Sequence, residues 1–341
     1  MNQETASASD DTVIAERQGR IGRIRLNRPR ALNALDIPMI ERINAALDEF
    51  EAEPAIHAVV IDSTSDRAFC AGGDIREISR HAAAHGAASV QPFFAAEYAL
   101  NLRVAEYSKP YVALIDGICM GGGIGLSVHG TYRVASERAI MAMPETAIGI
   151  FPDIGASFIL PRLPGHLGTY LGLTGARLQG ADAVRAGLAT HFVAAADLNA
   201  LAGMLAEDGI AALARVVKPL PPFSLSVHFA TIERAFSGTS IRQIIGRLAT
   251  EGSDFARETL STLRRASPSS LFWTLEILTQ GAHRTLREAL HAELALMMRV
   301  IEQPDFQEGV RAMLIDKDRT PHWHPDRIEA VDPAAVHTVF G

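Results

Sequence analysis

The sequence predicts an α/β fold that continues into a helical C-terminal region. From about Val13, short apolar runs rich in β-branched residues alternate with helical patterns. This alternation is typical of βαβ units built around parallel sheets. After about Asp197 the strand signals fade and helical stretches dominate. We therefore expect an α/β core over residues 13–200, carrying the functional site, and a helical region over residues 201–341.

The first elements are marked by the spacing of their apolar residues. A short strand is predicted over residues 21–26, and apolar positions recur every three or four residues across 35–50, which predicts an amphipathic helix. The run His57–Asp62 is apolar and β-branched, as in a strand covered on both faces. The segment His81–Val90 consists of small and weakly polar residues, so a mobile loop or a frayed helix is expected there.

Further strands and helices follow in the same alternation. Pro92 begins a predicted helix, and Tyr111–Ile115 is a second buried strand that leads into a glycine-rich turn and another helix. Tyr132–Ala135 predicts one more short strand. In the C-terminal part, the clearest amphipathic helix is predicted over Thr285–Ile301, where leucine, methionine and isoleucine recur at spacings of three and four.

Composition excludes several classes of protein. The chain has 341 residues, of which 48% are hydrophobic, so it can bury a sizeable core and is not intrinsically disordered. Its 32 basic and 39 acidic residues give a net charge of −7 without a dense basic run, so nucleic acid is not expected as a partner. No apolar run is long enough to span a membrane, and no membrane partner is expected.

Cysteine usage and the N-terminal pattern bear on localisation. Cys70 and Cys119 are the only cysteines, too few for a disulfide framework and suited to the reducing cytosol. The N-terminal stretch has neither the basic start of a signal peptide nor the arginines of a transit peptide. These observations predict a cytoplasmic protein.

Two glycine-rich turns follow predicted strands. The first lies in Ala68–Ile75 and the second in Gly117–Gly125, where it opens a helix. Such turns can leave backbone N–H groups free, and two of them can stabilise an oxyanion. The alternative is that each is a tight turn in which glycine supplies a positive φ. Nucleotide binding is not supported, because neither the G-x-G-x-x-G nor the P-loop pattern is present.

A third stretch, Met143–Asp153, carries two carboxyl groups. Glu145 and Asp153 flank an apolar segment, and apolar surroundings raise the pKa of a carboxyl group toward that of a general base. The alternative is that Glu145 caps a helix and that Asp153 starts a turn. A serine hydrolase of the α/β-hydrolase type is not supported, because the sequence contains no G-x-S-x-G motif.

Together these stretches resemble the crotonase (enoyl-CoA hydratase/isomerase) superfamily. The resemblance rests on LNRPRALNAL, AFCAGGDI and KPYVALIDGICMGGGIGLS, in that order. More narrowly, MPETAIGIFPDIG, SPSSL and the tail DFQEGVRAMLIDKDRTPHW resemble the 3-hydroxyisobutyryl-CoA hydrolases. The resemblance covers roughly residues 13 to 330. It implies a crotonase-like ββα-superhelix core followed by helices.

The resemblance also implies roles for particular residues. The positions that match the two oxyanion-binding N–H groups of the superfamily are Ala71 and Gly122. Hydratases carry two catalytic glutamates. One of them is retained here as Glu145, and the position of the other is Gly125. The loss of one carboxyl argues against efficient hydration.

The hydrolases differ from hydratases at two further positions. They carry an aspartate eight residues after the retained glutamate, which is Asp153 here, and a pocket glutamate that matches Glu97. From the sequence alone, Glu97 could equally lie on a solvated helix face.

The implied reaction is hydrolysis of 3-hydroxyisobutyryl-CoA to 3-hydroxyisobutyrate and CoA, a step of valine breakdown. No metal or redox cofactor is implied, because an oxyanion hole and carboxylates suffice for the reaction, and CoA arrives as part of the substrate. An enoyl-CoA hydratase or isomerase on the same fold, or a non-catalytic acyl-CoA-binding protein, stays open as an alternative. Members of the superfamily often form trimers or hexamers, but the helical tail could instead fold back over its own domain, so a homo-oligomer stays one of two open alternatives.

Overall fold

The structure is a computed structural model that describes residues 11–340. The first ten residues, on which the prediction about a leader largely rests, lie outside the described residues. Within the described range, no helix combines the length and the apolar character needed to cross a membrane.

Two sheets form the centre of the described part of the chain. The larger has the strand order β1-β2-β3-β5-β7-β10 and the smaller the order β4-β6-β8-β9. All neighbouring strands are parallel except β1 with β2 and β8 with β9. The strand bounds are β1 (Val13–Gln18), β2 (Ile21–Leu26), β3 (Ala58–Ser63), β4 (Ala68–Cys70), β5 (Tyr111–Ile115), β6 (Ile118–Met120), β7 (Tyr132–Ser136), β8 (Ile140–Ala142), β9 (Leu178–Gln179) and β10 (His191–Val193).

The chain visits the two sheets in turn. β3 and β4, β5 and β6, and β7 and β8 each place one strand in the larger sheet and the next in the smaller one, and helices follow each pair. This repeated ββα unit confirms the predicted α/β class and the superhelical core. The two glycine-rich turns follow β4 and β6, which are neighbours in the smaller sheet. The sheet therefore brings the turns together.

Alternation along the strands explains why the larger sheet is buried on both faces. In β3, Val59 and Ile61 belong to the main hydrophobic core, whereas Ala58 and Val60 belong to a second, smaller core. Successive side chains of a strand point to opposite faces, so a continuously apolar strand serves two cores at once. The second core is completed by the apolar face of residues 195–208.

Helices cover the sheets and make up the C-terminal region. Their bounds are α1 (Ile37–Ala52), α2 (Ile75–His85), α3 (Gln91–Glu106), α4 (Gly122–Val128), α5 (Ala156–Ile159), α6 (Leu167–Thr174), α7 (Gly180–Ala186), α8 (Ala195–Asp208), α9 (Leu213–Val216), α10 (Phe229–Phe236), α11 (Ile241–Glu251), α12 (Asp254–Arg265), α13 (Pro268–Gly281), α14 (Leu286–Val300), α15 (Pro304–Val310) and α16 (Pro333–Phe340). Glu145–Ile148 forms a short 3-10 helix, and Arg311–Ile315 continues α15 as a π-helical turn.

The two helices predicted most clearly are confirmed, and local caps explain where they begin. The Asp36 side chain accepts a hydrogen bond from the N–H of Met39 at the start of α1. At the start of α14, Thr285 and Glu288 form a reciprocal capping box. Each arrangement satisfies backbone donors that the first turn of a helix leaves free.

The prediction of a mobile loop or frayed helix at His81–Val90 is wrong. α2 continues to His85, a single 3-10 turn follows, and α3 then begins at Gln91. Ile78 and Ala82 are buried on the inner face of α2, so tertiary packing stabilises a stretch whose composition looked weak. Gly86 ends the helix with a φ of 84°, a conformation that glycine adopts without strain.

The C-terminal helices pack against the core. Residues of α13, α14 and α15 belong to the same hydrophobic cluster as β3 and β5. Residue 200 lies inside α8. The division of the chain at that point stays a prediction, but the helices that follow it contribute to the surroundings of the site described next.

Candidate active site

A cavity of about 620 Å³ lies where the two glycine-rich turns, α3 and the 3-10 helix Glu145–Ile148 meet. Its walls include all five candidate residues that the sequence singles out, namely Ala71, Glu97, Gly122, Glu145 and Asp153. The structure therefore collects into one concave site residues that come from four separate segments of the chain.

The first glycine-rich turn corrects one sequence expectation. The N–H of Ala71 donates to the carbonyl of Leu32 at 3.0 Å, so this group is not free to bind an oxyanion. Gly73 instead forms a parallel bridge with Leu35. The Leu35 N–H donates to the Gly72 carbonyl, and the Asp74 N–H donates to the Leu35 carbonyl. In a parallel bridge the central residue's own N–H points away from the partner segment. Within residues 11–340 the Gly73 N–H has no hydrogen-bond partner, and Gly73 lines the cavity.

The second glycine-rich turn begins α4. Gly122 is the first helical residue, and its N–H is one of the donors that a helix start leaves without a partner inside the helix. The two turns approach each other closely, because a Cβ built on Gly72 would lie 3.6 Å from the Gly122 nitrogen. Among residues 11–340, the N–H groups of Gly73 and Gly122 therefore lie on neighbouring turns without a hydrogen-bond partner.

Glu97 lies on the buried face of α3, not on a solvated face. Only 3% of the residue is exposed. A Cβ built on Gly122 would lie 2.2 Å from the Oε1 atom of Glu97, so only glycine leaves room for this carboxyl group. Within the described residues Oε1 has no hydrogen-bond partner. Glu97 thus presents a bare carboxyl oxygen beside the second turn.

Glu145 and Asp153 are each 6% exposed and lie on the cavity wall. A Cβ built on Gly121 would lie 3.2 Å from the Oε1 atom of Glu145, which brings this carboxyl group to the same turn. Its other oxygen, Oε2, has no partner among the described residues. The alternative that the two residues only cap a helix and start a turn does not account for their burial beside a cavity.

Tyr98 was not identified as a site residue from the sequence. Its hydroxyl donates to the Oδ2 atom of Asp153 at 2.6 Å, and both groups are buried. Tyr98 follows Glu97 directly and belongs to the four-residue apolar spacing of α3. That spacing predicted a core aromatic residue, and only the contact between α3 and the loop reveals the role of the hydroxyl.

The three carboxyl groups share one poorly solvated space. Burial, supported by the negative charge of Asp153, holds the pKa values of Glu97 and Glu145 well above the usual range. Burial also raises the pKa of Asp153 to about 6, although the hydrogen bond from Tyr98 opposes this shift. Carboxyl groups with raised pKa values can take up and release protons near neutral pH.

At the position where hydratases carry their second glutamate, Asn101 occupies the space. A Cβ built on Gly125 would lie 2.7 Å from the Oδ1 atom of Asn101. Asn101 is fully buried, one turn of α3 after Glu97. A larger side chain at position 125 therefore has no room unless Asn101 moves.

Basic residues and residues of the π-helical turn also line the cavity. Arg30, Arg76 and Arg177 are exposed and line it, while the π-helical turn after α15 contributes Met313 and Leu314. None of these residues stands out as a candidate in the sequence. The arginines come from three distant segments, and only the fold groups them.

The fold and the site define a class of protein. The family model described as enoyl-CoA hydratase/isomerase matches residues 21–340. The chain therefore belongs to the enoyl-CoA hydratase/isomerase family, whose fold is the crotonase fold.

The chain is also similar to individual named proteins. The 3-hydroxyisobutyryl-CoA hydrolase, mitochondrial, of Xenopus tropicalis is 44% identical over 98% of this chain and 90% of its own. The crystal structure of a carnitinyl-CoA dehydratase from Mycobacterium thermoresistibile matches with a TM-score of 0.93 and 34% identity, over 97% of each chain. That of an enoyl-CoA hydratase from Rhodobacter sphaeroides matches with a TM-score of 0.91 and 42% identity, also over 97% of each chain.

The prediction of a cytoplasmic protein is wrong, because the curated relatives are named as mitochondrial proteins. Cys70 and Cys119 are indeed free, and both are buried. Buried unpaired thiols reflect core packing and do not distinguish one reducing compartment from another. Cysteine usage therefore does not indicate in which compartment the protein resides.

Proposed function

We propose that this protein hydrolyses the thioester of 3-hydroxyisobutyryl-CoA, giving 3-hydroxyisobutyrate and CoA. The observation that carries the proposal is the group of three buried carboxyls beside two free backbone N–H groups in one cavity. Full-length relatives at 42–44% identity with the name of this hydrolase support it. The pathway that this substrate implies is valine breakdown.

The thioester oxygen would lie between the N–H groups of Gly73 and Gly122. These donors are fixed by the backbone before the substrate binds, so they stabilise the negative charge of the tetrahedral intermediate without reorganising. One such donor contributes about 3 kcal/mol to transition-state stabilisation. Gly73 replaces the sequence-predicted Ala71 in this role because the Ala71 N–H is already bonded to Leu32.

Glu145 is the reactive carboxylate in the proposed mechanism. In one route it attacks the carbonyl carbon, expels the CoA thiolate and forms a mixed anhydride that water then hydrolyses. In the other it takes a proton from a water molecule that attacks the carbonyl directly. Both routes need ionised Glu145. Its Oε2 atom has no hydrogen-bond partner among the described residues and is available for either route.

Asp153 would orient Glu145 or the attacking water and carry the proton that the departing thiolate needs. Its raised pKa of about 6 suits a group that exchanges protons near neutral pH. The hydroxyl of Tyr98 fixes one oxygen of Asp153, and Asp153 lines the cavity. These steps need no metal or redox cofactor, because the backbone N–H groups and the carboxyl groups suffice for thioester hydrolysis.

Glu97 would bind the 3-hydroxyl group of the substrate. Its Oε1 atom is buried and has no partner among the described residues, and a buried polar atom strongly favours a ligand that supplies the missing hydrogen bond. We expect E97A mainly to remove the preference for hydroxyacyl over plain acyl thioesters. The three exposed arginines that line the cavity suit the phosphate groups of CoA.

A hydratase is the second candidate, because the two solved structures reported above are named a dehydratase and a hydratase. Against it, Gly125 supplies no second carboxyl, and Asn101 fills the adjacent space. A non-catalytic acyl-CoA-binding protein is less well supported, since burying three carboxyl groups together is costly and binding alone does not require it.

Release of free thiol distinguishes these functions. We expect rapid thiol release from 3-hydroxyisobutyryl-CoA and no loss of the conjugated-thioester absorbance of crotonyl-CoA. Hydration of crotonyl-CoA without thiol release would favour the hydratase. Tight binding of both CoA esters with no product would favour a binding protein.

A further inference from the structure

The loop that follows Asp153 has a strained backbone. Ile154 has a φ of 58° and Gly155 a φ of 85°, so two successive residues adopt the left-handed conformation. Glycine does so readily, but for a β-branched residue such as isoleucine the conformation is strained. Such strain persists only where surrounding contacts hold it, and here it lies directly beside a buried carboxyl group of the site.

Glu293, from α14, provides contacts of this kind. Its Oε2 atom accepts the N–H of Gly155 at 2.7 Å, and its Oε1 atom accepts the N–H and the hydroxyl of Ser157 at 2.9 and 2.5 Å. The residue is fully buried, with 0% exposed. Burial raises the pKa of Glu293 to about 8, whereas the three hydrogen bonds from the loop oppose this shift and favour the ionised form. The ionised form is the one that can accept all three.

His129 holds the same loop from the other side. Its Nε2 atom lies 2.7 Å from the carbonyl oxygen of Ile154. A carbonyl can only accept, so Nε2 carries the proton and donates. Residue 129 directly follows α4, the helix that starts at Gly122. The strained peptide is therefore fastened to α14 by Glu293 and to the end of α4 by His129.

We propose that Glu293 is a positioning residue for Asp153. By accepting three hydrogen bonds from Gly155 and Ser157, it holds the strained peptide in the conformation that keeps the Asp153 carboxylate against Tyr98 and on the cavity wall. The role of Asp153 in turnover rests on the function proposed above, whereas the hold on the loop does not.

Glu293 does not line the cavity, so it acts through the loop and not by touching the substrate. If position 293 only had to fill space, an apolar side chain of similar volume would be more stable there, because a buried charge loses its hydration. The carboxylate matches this loop specifically, since its two oxygens together accept both amides and the hydroxyl.

The variant E293Q tests the proposal, because its volume is unchanged. A glutamine has one acceptor oxygen, and its NH2 group must face a donor of the loop. We expect kcat for 3-hydroxyisobutyryl-CoA to fall at least tenfold while KM changes less than threefold. The milder variant S157A, which removes one of the three donors, should lower kcat by a smaller factor. The control variant E302Q replaces an exposed glutamate just beyond the same helix and should behave as wild type.

A double-mutant cycle separates positioning from general destabilisation. If Glu293 acts through Asp153, then adding E293Q to D153N lowers the residual kcat no further, because the group being positioned is already lost. A multiplicative further loss, or a wild-type kcat in E293Q, would overturn the proposal.

Hydrogen exchange provides a readout that needs no substrate. The amides of Gly155 and Ser157 should exchange at least tenfold faster in E293Q than in wild type, with no change in β3 or β5. Unchanged exchange at these two amides would overturn the proposed hold on the loop even in an active enzyme. If wild type shows no thiol release but E293Q shows the faster exchange, the proposed function fails and the hold on the loop stands.

Discussion

Replacing Gly122 with alanine tests how closely the second glycine-rich turn approaches Glu97. The added Cβ would lie 2.2 Å from the Oε1 atom of Glu97, whereas real Cβ contacts essentially never fall below 3.0 Å. Glu97 must therefore move by at least 3.0 − 2.2 = 0.8 Å. A misplacement of about 1 Å can cost about 100-fold in rate, equivalent to about 2.7 kcal/mol.

The loss should be specific to hydroxylated substrates. The atom that must yield is the end of a flexible side chain, and Gly122 has no left-handed φ, so the fold should tolerate G122A with little change in Tm. We expect kcat/KM for 3-hydroxyisobutyryl-CoA to fall about 100-fold, and that for isobutyryl-CoA to fall much less.

Thiol-release kinetics on both esters measure the effect of G122A. The matched control is G203A, because a Cβ at this helical glycine meets nothing within 4 Å. Unchanged discrimination between the two esters in G122A would refute the contact between Glu97 and this turn as the source of specificity.

Three further predictions follow from the site. First, the raised pKa of Glu145 means that kcat/KM should fall with decreasing pH well above the ordinary carboxyl value of 4.5, because protonation removes the reactive carboxylate; a pH profile that stays flat down to about that value would contradict this. Second, G125E should not create a hydratase, because its Cβ would lie 2.7 Å from the Oδ1 atom of Asn101; a stable variant that hydrates crotonyl-CoA would show otherwise. Third, R30E and R177E should each raise KM for acyl-CoA about tenfold, with little change in kcat and a weaker dependence of KM on salt. KM values equal to wild type at low salt would exclude the arginines from substrate binding.

Local sequence patterns predicted most of the scaffold. The helices α1 and α14 show apolar residues at helical spacing, and the strands β3 and β5 are continuously apolar. Such patterns involve residues that are close in the chain, so a single sequence reveals them. The two glycine-rich turns and the carboxyls of Met143–Asp153 were predicted as candidates for the same reason. Their assembly into one cavity follows from the order of strands in the smaller sheet.

The sequence did not reveal the features of the site that depend on contacts between distant segments of the chain. The family resemblance implied Ala71 as an oxyanion donor, and nothing local in the sequence shows that the Leu32 carbonyl accepts the Ala71 N–H. Tyr98 looked like a core aromatic, although its hydroxyl donates to a residue 55 positions away. Glu293 lies on a helix that the spacing predicted correctly, but its contacts with the loop span more than 130 positions.

The central claim is that a buried carboxylate on this fold cleaves a hydroxyacyl thioester. The most direct test compares thiol release from 3-hydroxyisobutyryl-CoA by wild type and by E145Q. We expect rapid release by wild type and nearly complete loss of kcat in E145Q, with the CoA ester still bound. Normal turnover by E145Q would contradict the account, because no other group in the site is assigned to attack the carbonyl or to activate water.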